Sequence, residues 1–414
     1  MESVYRNFRN ISKTELNELG IKEENMGFVE TIDDLKKTLP NIIIGECVQT
    51  VKFRQNNYKN QELIKRGKYV MGLGIYNQLY YDTRISKRIL KPASIQFKNL
   101  YKPYFGQNLD NKTLLVWRTG GLGDLCFIQP NLVYLKSKYP TCKIIFATGS
   151  QYHSMIKTWD CIDEVINLPF SMRYVINSDY HAIFEGVIER TKQAEKENSY
   201  RLFTKWLGLN LEDKLLIPHQ KVLETSINKC KEILNKWGLK EKEFIIIQMR
   251  ASSPIRTPNP NVFLKLINEL TKRNYKIILT DMPSKTKEVS DFINKVNEKN
   301  NVFNFAEYSK EISDTVSLVS LAKLCIGVDS SLNHIGVSVN TKVFGIFGPF
   351  NAEIRLDTYP SELCDWINCG SETDCCPCFT HSMTPCKNSI DGYPKCFDQL
   401  NINLCIEKIE RLIG

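Results

Sequence analysis

The chain has 414 residues, a formal net charge of +9, 42% hydrophobic and 24% charged residues. That length exceeds one ordinary core and allows two domains plus an extension, with the composition of a soluble globular protein. Lys and Arg are scattered, with no dense basic tract and no basic stripe interleaved with aromatics, so a nucleic-acid partner is not expected. The opening Met1-Glu-Ser-Val-Tyr-Arg-Asn-Phe-Arg-Asn10 lacks the apolar core of a signal peptide. No stretch reaches the ~18–20 apolar residues a membrane span needs. A cytoplasmic protein is expected, with peripheral contact at the inner face of the membrane compatible with its charge. In that compartment paired disulfides are not the default use of cysteine.

Residues 1–110 form an N-terminal region without a catalytic pattern, read as an accessory or oligomerisation element. Leu35–Gly45 reads as the end of a short helix followed by a strand. Lys68–Asn77 is interrupted by Gly72 and Gly74, as in a bulged strand or turn. Alternation begins at residue 113. Short apolar strands are predicted at Leu114–Trp117, Lys143–Ala147, Val165–Leu168 and Ala182–Phe184. Leu125, Ile128, Leu132 and Leu135 mark one apolar helix face, with Pro130 as a kink. A charged helical stretch covers Glu189–Leu209, and a linker is expected near Leu215–Val222, around Pro218.

The alternation then restarts with strands at Phe244–Gln248, Lys276–Thr280, Val302–Phe305, Cys325–Val328 and Val343–Phe347. Amphipathic segments lie between them at Asn261–Lys272 and Lys287–Val296. Two successive runs of this kind predict an α/β protein with two Rossmann-like domains facing a cleft. The boundaries are 1–110 for the accessory region, 111–218 and 219–362 for the two α/β domains, and 363–414 for a Cys-rich segment with a C-terminal helix.

The chemistry concentrates at two strand–helix junctions. In the first, Leu114-Leu-Val-Trp-Arg-Thr-Gly-Gly-Leu-Gly-Asp124, the glycines Gly120, Gly121 and Gly123 permit a sharp turn and close approach of a ligand to backbone N–H groups. Asp124 stands at the helix start, where a carboxylate is either a cap suited to the dipole or a catalytic group. The dinucleotide fingerprint fails, because Cys126 stands where its third glycine would be and the next strand does not end in an acidic residue. The P-loop pattern fails as well, since no Gly-Lys-Ser/Thr follows.

In the second junction, Val328-Asp-Ser-Ser-Leu-Asn-His334, a strand delivers Asp329 and a helix opens with Ser330, Ser331 and Leu332. Its free N–H groups and hydroxyls would cradle a diphosphate. His334 lies one turn in, as a packed residue or an actor. The turn Phe347-Gly-Pro-Phe-Asn351, with Gly348 and Pro349, lies on the same sheet edge. Arg250 and Arg256 are candidates for phosphate oxygens, which guanidinium meets bidentately, or are solvated surface charges. Asp281 either contacts a nucleoside or caps the next helix.

These motifs resemble the lipopolysaccharide heptosyltransferase family, glycosyltransferase family 9. Its members resemble Arg118-Thr-Gly-Gly-Leu-Gly-Asp124 early in one domain, and Gly327-Val-Asp-Ser-Ser-Leu-Asn-His334 followed by Phe347-Gly-Pro349 in the other. The resemblance covers roughly residues 113–400 and implies a GT-B fold, an ADP-sugar donor (usually ADP-heptose) and inversion at the anomeric carbon. It implies Asp124 as general base, and Arg250 or Arg256 with the helix start at Ser330–Leu332 on the departing diphosphate. Asp329 and His334 would position the donor, without a catalytic divalent metal. The sequence departs from the family at Ser331, where glycine is frequent. It departs again at Ile255-Arg-Thr-Pro258, where a Lys before Trp-Pro is frequent, leaving Arg256 as the only cation within that loop.

Eight of the fourteen cysteines fall between Cys364 and Cys405. Cys375-Cys-Pro-Cys378 holds a Cys-x-x-Cys pair, and Cys386 and Cys396 follow at loop-length intervals. Four thiolates so spaced form a tetrahedral zinc or iron site, with Cys369, Cys376 and His381 as substitutes. The alternative is reduced free thiols in a loop. The resemblance favours the metal, since some family members carry such a cluster and a few protein-glycosylating relatives hold iron there. A structural ion is expected. The expected acceptor is a glycan, lipopolysaccharide core or protein hydroxyl, and a homo-oligomer is compatible with the N-terminal region. Two other classes fit the same residues. One is a non-catalytic GT-B-like binding or assembly protein, and the other a nucleotide-sugar enzyme such as an epimerase.

Overall fold

The computed structural model describes residues 16, 17, 19, 21, 27–53, 62–81, 90–380 and 385–414. The described chain forms two units. The first takes the residues up to 120 together with 131–194 and 202–210. The second takes 121–130, 195–201 and 211–414.

In the first unit, the helix Ile32–Lys36 is capped by Thr31, whose hydroxyl accepts from the Asp34 N–H. Strands β1 (Ile42–Cys47), β4 (Gly67–Gly72), β5 (Leu90–Pro92) and β9 (Phe170–Ser171) make an antiparallel sheet in the order β5-β1-β4-β9, and β2 (Val51–Phe53) pairs with β3 (Glu62–Ile64). Strands β6 (Thr113–Trp117), β7 (Lys143–Ala147), β8 (Glu164–Ile166) and β10 (Tyr180–Ile183) make a parallel sheet in the order β10-β6-β7-β8. Parallel strands are covered on both faces and therefore read as unbroken apolar runs. One apolar core serves both sheets: Ile43, Val70 and Met71 pack in the same cluster as Leu115, Trp117, Ile145 and Phe170.

The glycine-interrupted segment is not a bulge. Gly72 ends β4 and Gly74 lies inside the helix Leu73–Tyr81. The apolar run is long enough to switch period there from two to 3.6. The charged stretch at 189–209 is likewise not one helix: it holds a 3₁₀ turn, Lys192–Glu195, and a separate helix, Ser199–Trp206.

The second unit is built on β11 (Phe244–Gln248), β12 (Lys276–Leu279), β13 (Val302–Asn304), β14 (Leu324–Val328), β15 (Lys342–Phe347) and β16 (Cys364–Asn368). They form a parallel sheet in the order β13-β12-β11-β14-β15-β16. Phe244 to Ile247 are fully buried. At about 1.5–3 kcal/mol per buried large apolar side chain, this strand is a main source of the unit's stability. The edge strand β16, Cys-Asp-Trp-Ile-Asn, mixes polar and apolar residues and carries no such run, so it was not predicted.

Local chemistry starts the helices. Helix α1 (Leu122–Lys138) follows β6 and contains Pro130. In α2 (Pro260–Lys272), Pro260 opens the first turn and the Asn259 side chain accepts from the Asn261 N–H, as N1 proline and N-cap asparagine do. Helix α3 (Ile312–Leu321) opens with a reciprocal capping box between Glu311 and Asp314. Helix α4 (Ser331–Ser338) lies so close to β15 that a Cβ at Gly336 would stand 2.4 Å from Val343 Cγ2. Gly336→Ala is therefore expected to destabilise the protein by about 1–3 kcal/mol through overpacking. A chemical denaturation midpoint equal to the parent's would refute this.

Candidate functional site

In each parallel sheet the strand order reverses at the first strand of the run. β6 stands between β10 and β7, and β11 between β14 and β12. Loops leave such a strand pair in opposite directions, and ligands of open α/β sheets bind in the crevice at its carboxyl ends. Both glycine-bearing junctions stand at these positions.

At the first junction Arg118 is buried. Its Nε donates to the Gly120 carbonyl at 2.9 Å and its Nη1 to the Phe184 carbonyl at 2.9 Å, while Nη2 meets Glu189 Oε1 at 2.5 Å. The Thr119 N–H donates to Glu185. Sequence reading took Arg118 only as part of a motif; the fold makes it the fork that sets the turn. Gly121 has φ +85°, and a Cβ there would stand 1.9 Å from Asp124 Oδ2. Asp124 is thus the third residue of α1, half-buried, with its carboxylate folded back over Gly121. A carboxylate in the first turn of a helix suits the macrodipole.

Within the second unit the start of α1 packs on α4. A Cβ at Gly123 would lie 3.3 Å from His334 Cδ2, and the Phe127 ring meets His334 edge-on at 4.6 Å. His334 is buried, and burial pushes its pKa down to about 3. Its Nδ1 lies 2.7 Å from the Tyr359 hydroxyl, which lies 2.5 Å from the Tyr200 hydroxyl. The two tyrosines were not singled out from the sequence. They come from segments far apart in the chain and carry no motif. His334 is a neutral, packed hydrogen-bonding group at neutral pH.

His181 in the first unit is equally buried. It accepts at Nδ1 from the Lys102 N–H at 2.9 Å, and burial lowers its pKa to about 4. The unfolded chain therefore binds protons at these two histidines, near pH 6.5, before the native state does. Stability from both is intact above pH 6.5 and is lost as pH falls, toward about 4 for His181 and about 3 for His334. Each contributes a slope of about 1.4 kcal/mol per pH unit. The melting temperature is expected to fall between pH 7 and pH 5, above the main carboxylate range. A flat profile there would contradict the burial of both rings.

At the second junction the Ser330 hydroxyl donates to Gln248 Oε1 at 2.9 Å, joining the ends of β14 and β11. Asn333 Nδ2 donates to the Val328 carbonyl at 2.9 Å, tying α4 to the strand before it. Ser331 begins α4, and the Leu332 side chain is buried, so Leu332 offers the crevice only its backbone. Asp329 is buried. Burial opposes its ionisation, but the guanidinium groups of Arg256 and Arg355 outweigh this and hold its pKa below the ordinary value. Arg256 Nη1 lies 3.0 Å from the Asp329 carbonyl and 3.3 Å from its Oδ2, and Nη2 donates to Ser252 Oγ at 3.1 Å. Arg355, unmarked in the sequence, lies 3.8 Å from Asp329 Oδ1, donates to Ser199 Oγ at 2.8 Å and lies over the Phe350 ring.

Arg250 and Asp281 are brought together at the ends of β11 and β12. Arg250 Nε donates to Asp281 Oδ2 at 2.8 Å and Nη1 to Glu288 Oε2 at 2.5 Å, while Asp281 Oδ1 accepts from the Met282 N–H. The Arg250 charge is therefore shared between two carboxylates, whereas Arg256 reaches the start of α4. Gly348 and Pro349 form the turn after β15, on the same edge.

The C-terminal cysteines divide. Cys364, Cys369 and Cys405 are buried, Cys369 and Cys405 within the apolar core of the second unit. Cys375, Cys376, Cys378, Cys386 and Cys396 line one cavity. The Cys376 and Cys396 sulfurs are hydrogen-bonded, and this contact together with burial pushes the pKa of Cys396 up. Five soft thiol donors around one cavity are more than the four that a tetrahedral zinc or iron site takes. Among the described residues, however, no three His, Cys, Asp or Glu side chains converge in a metal-holding arrangement. His381 lies outside the described residues. Among the described residues no helix is long and apolar enough to cross a membrane.

Residues 188–385 match glycosyltransferase family 9 (heptosyltransferase). Asp124 precedes that stretch. Lipopolysaccharide heptosyltransferase 3 of Escherichia coli (strain K12) is 30% identical over 121 residues, which is 29% of this chain and 35% of that protein. The chain thus spans about a third of the length of this curated relative. The fold is similar to that of E. coli ADP-heptose lps heptosyltransferase II, with TM-score 0.55 and 14% identity over 73% of this chain and 98% of that one. It is also similar to the iron-containing dodecameric glycosyltransferase TibC from enterotoxigenic E. coli H10407, with TM-score 0.50 and 12% identity over 93% of this chain and 97% of that one. The α/β architecture with its parallel sheets is therefore similar to that of these two structures.

Proposed function

We infer from the match of residues 188–385 to glycosyltransferase family 9 (heptosyltransferase) that this chain is an inverting glycosyltransferase. It takes a sugar, heptose, from an ADP-sugar to a hydroxyl group. The observation that carries this reading is Arg256, held on the Asp329 carbonyl beside the first turn of α4 at the β11–β14 crevice. A guanidinium and the N–H groups of a helix start converge there, as a diphosphate leaving group requires. Ser330, Ser331, Leu332, Gly348 and Pro349 border the same phosphates, and Asp281 with Arg250 the nucleoside.

In the reaction the acceptor oxygen attacks C1 of the sugar and its proton passes to the Asp124 carboxylate. The bond from C1 to the diphosphate breaks, and ADP leaves with its charge met by Arg256 and α4. General-base assistance of this kind contributes about 10²–10⁴-fold. Gly120, Gly121 and Gly123 keep side chains out of the approach to Asp124, and neutral His334 supports the turn from α4.

The acceptor is an anionic glycan, a lipopolysaccharide core sugar or a protein hydroxyl, in keeping with the +9 charge. Residues 111–218 serve the acceptor and 219–362 the nucleotide, with 1–110 in assembly. Cys375, Cys378, Cys386 and Cys396 would hold zinc or iron as a structural crosslink. The likeness over 93% of the chain to TibC, an iron-containing dodecameric glycosyltransferase, supports carrying over iron and an oligomeric assembly.

The test is calorimetric titration of the purified protein with ADP, UDP, GDP and CDP, with metal content measured on the same sample. Selective ADP binding supports the reading. Folded protein that binds none of the four overturns it and favours a non-catalytic assembly protein.

A further inference from the structure

The turn after β15 is held from one side by the Cys-rich segment. The Phe347 carbonyl accepts from the Cys369 N–H at 2.6 Å, and the Pro349 carbonyl accepts from the N–H groups of Cys378 and Phe379 at 3.0 and 2.9 Å. Between them, the Gly348 carbonyl has the Cys376 thiol 2.8 Å away. The same sulfur lies 3.2 Å from the Cys369 carbonyl, so Cys376 Sγ stands between the ends of β15 and β16, with its one S–H nearer the Gly348 oxygen. Packing leaves little slack. A Cβ at Gly348 would stand 2.9 Å from Cys396 Sγ, and one at Gly370 would stand 2.8 Å from Cys376 Sγ.

In a trans peptide the N–H points opposite to the C=O. Carbonyls of Phe347 and Pro349 turned into the Cys segment therefore direct the N–H groups of Gly348 and Phe350 away from it. Two of the three carbonyls accept from backbone N–H groups, which any non-proline residue supplies. The Gly348 carbonyl instead meets a side-chain donor, and that ties the turn to one residue type. The turn continues into Phe350, whose ring lies under the Arg355 guanidinium, itself 3.8 Å from Asp329. Ile255, next to Arg256, lines the same cavity as the thiols.

We propose that Cys376 is a positioning residue of the donor site. Its thiol carries the Gly348 carbonyl, fixes the Phe347–Phe350 turn against the phosphates and is not a metal ligand. This rests on the glycosyltransferase reading above. It separates the cysteines into four that would hold an ion and one that links their segment to nucleotide binding.

The experiment uses the full-length, metal-loaded protein and its Cys376→Ala and Cys376→Ser variants. ADP affinity is measured by calorimetry, donor KM and kcat by turnover, and metal per chain by elemental analysis. Cys376→Ala is expected to weaken ADP binding and raise the donor KM about tenfold, the scale of a lost hydrogen bond that leaves its acceptor unsatisfied. Metal content and kcat stay at the parent's level. Cys376→Ser, which keeps an O–H donor, restores ADP affinity to within about twofold. Metal loss in either variant would make Cys376 a ligand and overturn the proposal. So would parental ADP affinity in the alanine variant, or failure of serine to rescue. Absence of ADP binding in the parent protein would instead strike the glycosyltransferase reading, and this inference with it.

Discussion

Asp124→Asn is expected to lower sugar transfer by about 10³-fold, while ADP affinity stays within about twofold of the parent. The substitution preserves size and removes the negative charge, and with it the basicity. The carboxylate occupies the first turn of α1, folded over Gly121, where no side chain fits: a Cβ would stand 1.9 Å from it. Two roles are compatible with that position. A carboxylate that served only the helix dipole would cost about 0.3–1 kcal/mol of stability on neutralisation and leave turnover intact. A base would lose turnover with little change in stability. Steady-state transfer and a denaturation curve on the same variant separate them, and full activity in Asp124→Asn would remove Asp124 from the base role.

The second large effect is structural. Asp329→Ala is expected to destabilise the protein by about 3–5 kcal/mol, because it strips the carboxylate from a buried guanidinium. Arg355 and Asp329 have side chains only 6% and 5% exposed, so water cannot replace the lost partner. Arg256, at 24% exposure, can rehydrate. Arg256→Ala should therefore change stability little and weaken ADP binding about 10–100-fold, the scale of a charge-assisted contact to phosphate. The two substitutions thus divide one ion cluster into a part that holds the fold and a part that holds the ligand. A stability loss below about 1 kcal/mol in Asp329→Ala, or parental ADP affinity in Arg256→Ala, would contradict this division.

The parallel strands were legible because burial on both faces writes a continuous apolar run into the chain. Phe244–Gln248 and Lys143–Ala147 match their predicted bounds. Elements without that signature were not legible. β16 is a half-buried edge strand of mixed polarity, and β9 is a two-residue strand whose pairing with β4 depends on chain far upstream. The segment at 189–209 looked helical from its charges, yet Asn198 and Ser199 turn it inward. Asn198 Nδ2 donates to Asp357 Oδ1 at 2.6 Å, and the Ser199 hydroxyl accepts from Arg355.

By itself the sequence determined the α/β class, the two strand–helix junctions and the presence of a thiol cluster. These follow from residue type and short spacing: apolar runs, glycines where the backbone must turn, and cysteines close in the chain. Tertiary structure decided which cation reaches the start of α4 and which is shared between carboxylates. It also brought Arg355 to Asp329, stacked Tyr200, Tyr359 and His334 into one hydrogen-bonded chain, and set Cys376 on the Gly348 carbonyl. Each of these depends on a distance between residues far apart in the chain, and local pattern does not encode such distances.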